Sequence, residues 1–366
     1  MQTEKPEVFE IRYMSHEMYD QMNEQENLLE VENLQVNFHT LSGVVRAVRG
    51  VSFSVKKGET IAIVGESGCG KSVTAKSILR LLPSPPSETL EGSAIHFLGE
   101  DVLAFDKKRL SAYRGGETAI IFQDALAALN PTMTAGKQIA ENLRHHKLLS
   151  RKEAMQEAAE LLKRVGIPQS ERRVRQYPHE FSGGMRQRVM IAIAFACSPR
   201  LLIADEPTTS LDVTIQAQIM SLIKKLQEET GTSVILITHD LGVVAGAARR
   251  ILVMYAGKIV ERGTSMDIFR RPAHPYTRAL LSAVPRLDSG QKQVLTAIRG
   301  TPPDLIKPPQ GCPFAPRCKY CMNICHRELP EVKDFGGQHF AQCWLYNLRS
   351  EMKASHPFFS ERVGQL

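Results

Sequence analysis

Residues 65–72 read Gly65-Glu66-Ser67-Gly68-Cys69-Gly70-Lys71-Ser72 and follow directly on the apolar run Ile61-Ala62-Ile63-Val64. This is the G-x-x-x-x-G-K-S spacing of a phosphate loop, set between a predicted strand and a predicted helix. The glycines let successive backbone N–H groups point at phosphate oxygens; Lys71 adds a point charge near the β and γ phosphates, and the Ser72 hydroxyl suits Mg²⁺. A chance glycine-rich turn is the competing reading, and the strand-then-helix context argues against it. The pattern predicts a nucleoside triphosphate site in an α/β fold.

With 366 residues, two or three domains are expected rather than one small core. No run of about 18 apolar residues occurs, so no bilayer-spanning helix is predicted. The polar start Met1-Gln2-Thr3-Glu4-Lys5 lacks the apolar core of a secretory signal, and a cytosolic chain is expected. A net charge of +7 is spread along the chain, which reads as a mixed solvated surface and gives no argument for a nucleic-acid partner.

Residues 1–28 form an acidic extension with no chemistry of its own. From Leu29 three short strands are predicted, Leu34–Phe38, Val44–Val48 and Val51–Val55, with turns at Gly43 and Gly58. A helix from Ser72 to about Leu82 should stop at Pro83, Pro85 and Pro86. Segments 136–146 and 151–165 have helical periodicity. The continuous apolar runs Leu201–Ala204 and Ser233–Ile237 suit a parallel sheet covered on both faces. After Tyr276 the chain turns rich in Pro, Gly and Cys, which marks a small C-terminal module.

Asp205-Glu206 follows the strand 201–204, at the end where open α/β sheets bind ligands. Asp205 suits Mg²⁺, directly or through water, and Glu206 suits a general base for an attacking water. Phe181-Ser182-Gly183-Gly184-Met185-Arg186-Gln187-Arg188 precedes an apolar helix that Ser182 would cap. Cysteine is unevenly placed. Cys69 and Cys197 read as small buried fillers, whereas Cys312, Cys318, Cys321, Cys325 and Cys343 crowd the C-terminal module. In a reducing compartment such a cluster favours metal over disulfides, and all-thiolate ligation fits zinc or a [4Fe–4S] cluster.

Phosphate loop, Ser-Gly-Gly-Met segment and Asp-Glu pair in this order resemble the ATP-binding-cassette family over about residues 30–265. Gln123, after Ile120-Ile121-Phe122, and His239, after Ile237-Thr238, match further motifs of that family. The resemblance implies a RecA-like core, an antiparallel β subdomain and a helical subdomain at about 124–190, within a nucleotide-binding domain spanning 29–285 and followed by a module at 286–366. It implies ATP and Mg²⁺ as ligands. It assigns His239 to the γ-phosphate, Gln123 to Mg²⁺ and the attacking water, and Phe38 to the adenine ring. Ser210-Leu211-Asp212 looks like the loop that crosses between subunits. Ser182, Gly183 and Gly184 would complete the site of a second cassette in a head-to-tail dimer.

Gly43 to Phe53, Leu129-Asn130-Pro131-Thr132, Leu211 to Gln218, His274-Pro275-Tyr276-Thr277 and Gly311-Cys312-Pro313-Phe314 look like the oligopeptide and dipeptide importer subunits. Asp124-Ala125-Leu126-Ala127-Ala128 departs from that subfamily's usual Asp-Pro-Met-Thr-Ser. The likeness implies peptide import, with nickel complexes or antimicrobial peptides as other cargoes and a soluble cassette ATPase acting on ribosomes or nucleic acid as the rival class. It implies a second, distinct cassette subunit, two transmembrane permeases, an extracytoplasmic peptide-binding protein, and a peripheral place on the cytoplasmic face of the membrane. It also implies Cys312, Cys318, Cys325 and Cys343 as cluster ligands with Cys321 spare, and it favours iron–sulfur over zinc.

Overall fold

The computed structural model describes residues 26–209, 211–283, 298–348, 353 and 356–360. The acidic extension as far as residue 25, Ser210 of the expected crossing loop and residues 284–297 lie outside the described residues.

Two sheets carry the molecule. The first is antiparallel: β1 (Asn27–Thr40), β2 (Gly43–Lys56), β5 (Ala94–Phe97) and β6 (Glu100–Asp101) lie in the order β2-β1-β5-β6, and β4 (Ser87–Thr89) pairs with the far end of β1. The predicted strands Val44–Val48 and Val51–Val55 are one continuous strand, β2. Gly50 adopts φ +85 opposite register shifts in β1, so the chain bends there without leaving the ladder.

The second sheet runs β12 (Val332–Asp334), β13 (Phe340–Gln342), β11 (Lys258–Thr264), β10 (Arg250–Tyr255), β3 (Thr60–Val64), β9 (Ser233–Thr238), β8 (Leu201–Asp205) and β7 (Thr118–Ile121). Strands β10, β3, β9, β8 and β7 are parallel. Their alternating residues face two different cores, as continuous apolar runs require. Ile61, Ile63, Leu201, Ile203, Ile235 and Ile237 pack with the antiparallel sheet. Ala62, Val64, Ala204 and Leu236 pack on the other face, with Tyr255, Tyr276 and Phe314.

The helix after the phosphate loop spans Lys71–Ile78 and ends before the prolines. Its last carbonyls are taken by side chains: Tyr113 Oη donates to Ile78 O at 3.0 Å and Arg114 Nε to Leu79 O at 2.8 Å, while Arg80 turns to φ +50. A third cluster holds the helices Ala135–His146, Arg151–Arg164 and Gly183–Phe195 together. The second of these starts with a capping box between Ser150 and Glu153.

The Pro- and Cys-rich region is built onto the core rather than beside it. β13 extends the central sheet by pairing with β11, and Phe314, Ala315, Cys312 and Cys325 share the core of β3 and β10.

Candidate functional site

Parallel β3, β9 and β8 end in register, with Val64 beside Thr238 and Asp205 beside Ile237. The phosphate loop, Asp205-Glu206 and His239 therefore emerge along one edge, and Gln123 follows neighbouring β7. The loop needs its glycines sterically. A Cβ on Gly65 would meet Met254 O at 2.2 Å, and one on Gly70, at φ +104, would meet Ala47 O at 2.5 Å.

Lys71 is buried, and its Nζ donates to Gly65 O at 2.7 Å and Glu66 O at 3.0 Å, bracing the loop's curve. Ser72 Oγ donates to Asp205 Oδ1 at 2.9 Å. Burial raises the Asp205 carboxyl above the ordinary aspartate range, and the Ser72 hydrogen bond only partly offsets it. Two hard oxygens held together, one a carboxylate short of solvation, suit Mg²⁺ completed by phosphate and water.

Glu206 is the centre of the arrangement. Its backbone sits at φ +50, in the left-handed region, and its N–H donates to Ile237 O at 2.9 Å. Such a conformation costs a non-glycine residue about 1–3 kcal/mol and persists where surroundings over-determine it. Thr209 Oγ1 donates to Glu206 Oε2 at 2.9 Å, Gln123 Nε2 donates to the same oxygen at 3.1 Å, and His239 Nδ1 lies 3.3 Å from it. Oε1 faces Lys71 Nζ at 3.9 Å. The structure thus brings together Lys71, Ser72, Asp205, Glu206, Gln123 and His239.

The Ser-Gly-Gly segment belongs to a different part of the surface. Ser182 Oγ accepts from Met185 N–H and caps the helix Gly183–Phe195, and a Cβ on Gly184 would meet Ile215 Cγ2 at 3.1 Å. Asp212 caps the helix Val213–Thr230, accepting from Ile215 N–H at 2.9 Å. Phe38 lies half-buried on β1 between Val45 and Ser87, packed against the core beneath the antiparallel sheet. The sequence reading did not single out Thr209, or Gln187, whose Nε2 donates to Pro207 O at 2.6 Å and struts the helix Gly183–Phe195 against the loop after Glu206. It also missed Arg317, whose guanidinium pairs with the Glu66 carboxylate. Nothing in a single sequence links positions that far apart.

The expected metal cluster is not supported. Among the described residues no group of three or more His, Cys, Asp or Glu side chains is gathered so as to hold a metal ion. Cys312, Cys325 and Cys343 are buried and Cys318 is half-buried, and all four pack among apolar side chains. Burial pushes the Cys312 thiol up to about 11 and the Cys318 thiol up to about 12. Cys321 stands apart from them in one respect, with Sγ 3.2 Å from His326 Nε2.

The ABC transporter family model matches residues 48–209, and the model of the oligopeptide/dipeptide transporter C-terminal region matches residues 260–325. The chain belongs to the ABC transporter ATP-binding proteins, and within them to the branch that carries this C-terminal region. It is 55% identical over 89% of its length, and 97% of the relative's, to the dipeptide transport ATP-binding protein DppD of Bacillus subtilis. It is 50% identical to the oligopeptide transport ATP-binding protein OppD of Salmonella typhimurium, over 87% of this chain and 93% of that one. Among solved structures, the dimeric post-hydrolysis ATP-binding cassette MJ0796 bound to ADP and Pi aligns with TM-score 0.58 and 28% identity, over 65% of this chain and 98% of that one. The fold is that of an ABC ATPase. Among the described residues no helix is long and apolar enough to cross a membrane.

Proposed function

We propose that this chain hydrolyses ATP to energise import of dipeptides or oligopeptides, working on the cytoplasmic face of the membrane through separate permease subunits. The observation that carries the hydrolytic part is the convergence of Thr209, Gln123 and His239 on Glu206 Oε2 beside the phosphate loop. The cargo class rests on the peptide transporters among the relatives and on the C-terminal region shared with them.

In this reading Lys71 leaves the carbonyls of Gly65 and Glu66 for the β and γ phosphates, and the loop's N–H groups take the remaining oxygens. Ser72 and Asp205, with Gln123 alongside, are the residues that would hold Mg²⁺, whose chemistry is to neutralise charge on the phosphates. Glu206 keeps Oε2 fixed by its three neighbours and turns Oε1 to the attacking water, accepting its proton. His239 and Gln123 orient the γ-phosphate and that water, and Phe38 offers its ring to the base. Ser182, Gly183 and Gly184, with Asp212 beside them, close over the nucleotide of a second, distinct cassette subunit packed head to tail. The dimeric form of the solved relative MJ0796 supports the pairing of two cassettes.

Reconstitution with two permeases, a partner cassette and an extracytoplasmic peptide-binding protein tests the function. Peptide-stimulated ATP hydrolysis and ATP-dependent peptide uptake are expected. Co-sedimentation with ribosomes and no permease-dependent membrane association would overturn the reading.

A further inference from the structure

Glu66 places a carboxylate inside a loop that receives a polyphosphate, so an unpaired charge there would repel the ligand. It is not unpaired. Arg317, from the C-terminal region, reaches it with both terminal nitrogens: Nη1 to Oε2 at 2.5 Å and Nη2 to Oε1 at 3.0 Å. A two-pronged pairing of this kind fixes direction as well as charge. The Arg317 side chain is only 4% exposed, against 25% for Glu66. Its remaining donors are spent on Ile298 O at 3.2 Å, Arg299 O at 2.9 Å and Tyr255 Oη at 3.2 Å, so the guanidinium is held from four sides. Pairing with Glu66 in turn holds the proton on the Arg317 guanidinium more firmly than on an ordinary arginine.

The same residue is fastened along the backbone. Glu66 N–H donates to Tyr276 Oη at 2.8 Å, and Glu66 O accepts from Lys71 Nζ. Tyr276 is itself packed against Tyr255 and Phe314, with ring centroids 4.6 and 5.3 Å away. A residue at the mouth of the phosphate loop is therefore held by two side chains from beyond the cassette motifs.

Resting on the assignment of residues 65–72 as the phosphate loop, we propose that Arg317 is a positioning residue for ATP: by neutralising and turning aside the Glu66 carboxylate it makes the C-terminal region part of the nucleotide site. Docking of that region then sets the loop's affinity for the triphosphate. Loss of the arginine leaves a carboxylate facing the phosphates; loss of both charges leaves nothing to repel them.

The test is equilibrium binding of a fluorescent ATP analogue to the full-length chain, with thermal melting recorded in parallel. Arg317→Ala is expected to weaken binding roughly 5- to 150-fold, the span of a coupling of ordinary size. Adding Glu66→Gln to it should restore affinity to within about threefold of the starting protein, a non-additivity expected of directly paired charges. Arg317→Met keeps an unbranched apolar stem of similar length and should behave like alanine, which covers the case of an alanine variant that does not fold. Wild-type affinity in the folded arginine variants, or a double variant as weak as Arg317→Ala, would overturn the proposal, since packing alone would then account for the residue. Lys71→Ala in the same assay separates the two readings: wild-type binding by that variant would overturn the phosphate loop itself.

Discussion

The central sheet and the C-terminal region attach their functional residues by opposite means. In the sheet, β3, β9 and β8 end side by side, so residues directly after each strand meet without help: Gly65, His239 and Asp205-Glu206 arrive at one edge because the ladder puts them there. In the C-terminal region few regular elements do this work. Short turns, the rings of Phe314, Tyr255 and Tyr276, and one ion pair hold it to the loop. Backbone ladders tolerate side-chain change; contacts between individual side chains do not. Variants in the sheet's site should therefore lose chemistry and keep the fold, whereas variants of the C-terminal region's aromatic attachments should lose both together.

The largest loss of chemistry with the fold kept is expected from Ser182→Arg, away from the sheet's edge in the segment proposed to close a second cassette's site. It sits on the surface at the cap of its helix, so the folded chain and ATP binding should survive, while hydrolysis by the assembled dimer should fall by roughly 10²-fold or more, as for loss of a preorganised donor at a developing charge. Retained hydrolysis at full rate would remove the second subunit from the site. On the other side of the comparison, Phe314→Ala empties a position 2% exposed between the two tyrosines. It should cost about 3–5 kcal/mol in denaturant unfolding, and ATP affinity should fall with it; a loss of stability with unchanged affinity would separate the region from the loop.

A smaller effect sharpens the contrast within the site. The Asp205 carboxyl is raised above its ordinary range by burial, so the folded state carries a penalty for ionising it. That penalty is absent at a pH below the range of an unfolded aspartate and appears as pH rises through the raised value. Asp205→Asn should raise the melting temperature of the nucleotide-free protein at neutral pH, lose that advantage on acidification, and abolish Mg²⁺-dependent hydrolysis. A variant that melts lower at neutral pH would show that the Ser72 hydrogen bond outweighs burial.

The same division decides what the sequence makes legible. The phosphate loop, Asp205-Glu206, Gln123 and His239 each follow an apolar run, and strand ends are visible as local pattern. The structure brings Lys71, Ser72, Asp205, Glu206, Gln123 and His239 together along one edge. The single strand through Gly50 was not legible, because a left-handed glycine can bend a ladder as readily as end it. Nor was the early end of the helix Lys71–Ile78, which is set by Tyr113 and Arg114 rather than by the prolines downstream. The cysteines were legible as a cluster, but clustering in sequence did not give ligand geometry. Arg317 was invisible because a pairing with Glu66 exists only once β10, the aromatic rings and the loop have assembled around it.

One experiment bears most directly on the account: steady-state hydrolysis and nucleotide retention by Glu206→Gln in the assembled protein. Oε1 is lost as a base while Gln123, Thr209 and His239 keep a partner, so turnover should fall roughly 10²- to 10⁴-fold, with ATP bound and the two cassettes trapped together. Turnover near the wild-type rate, with no trapped dimer, would contradict the assignment of Glu206 and with it the reading of this site.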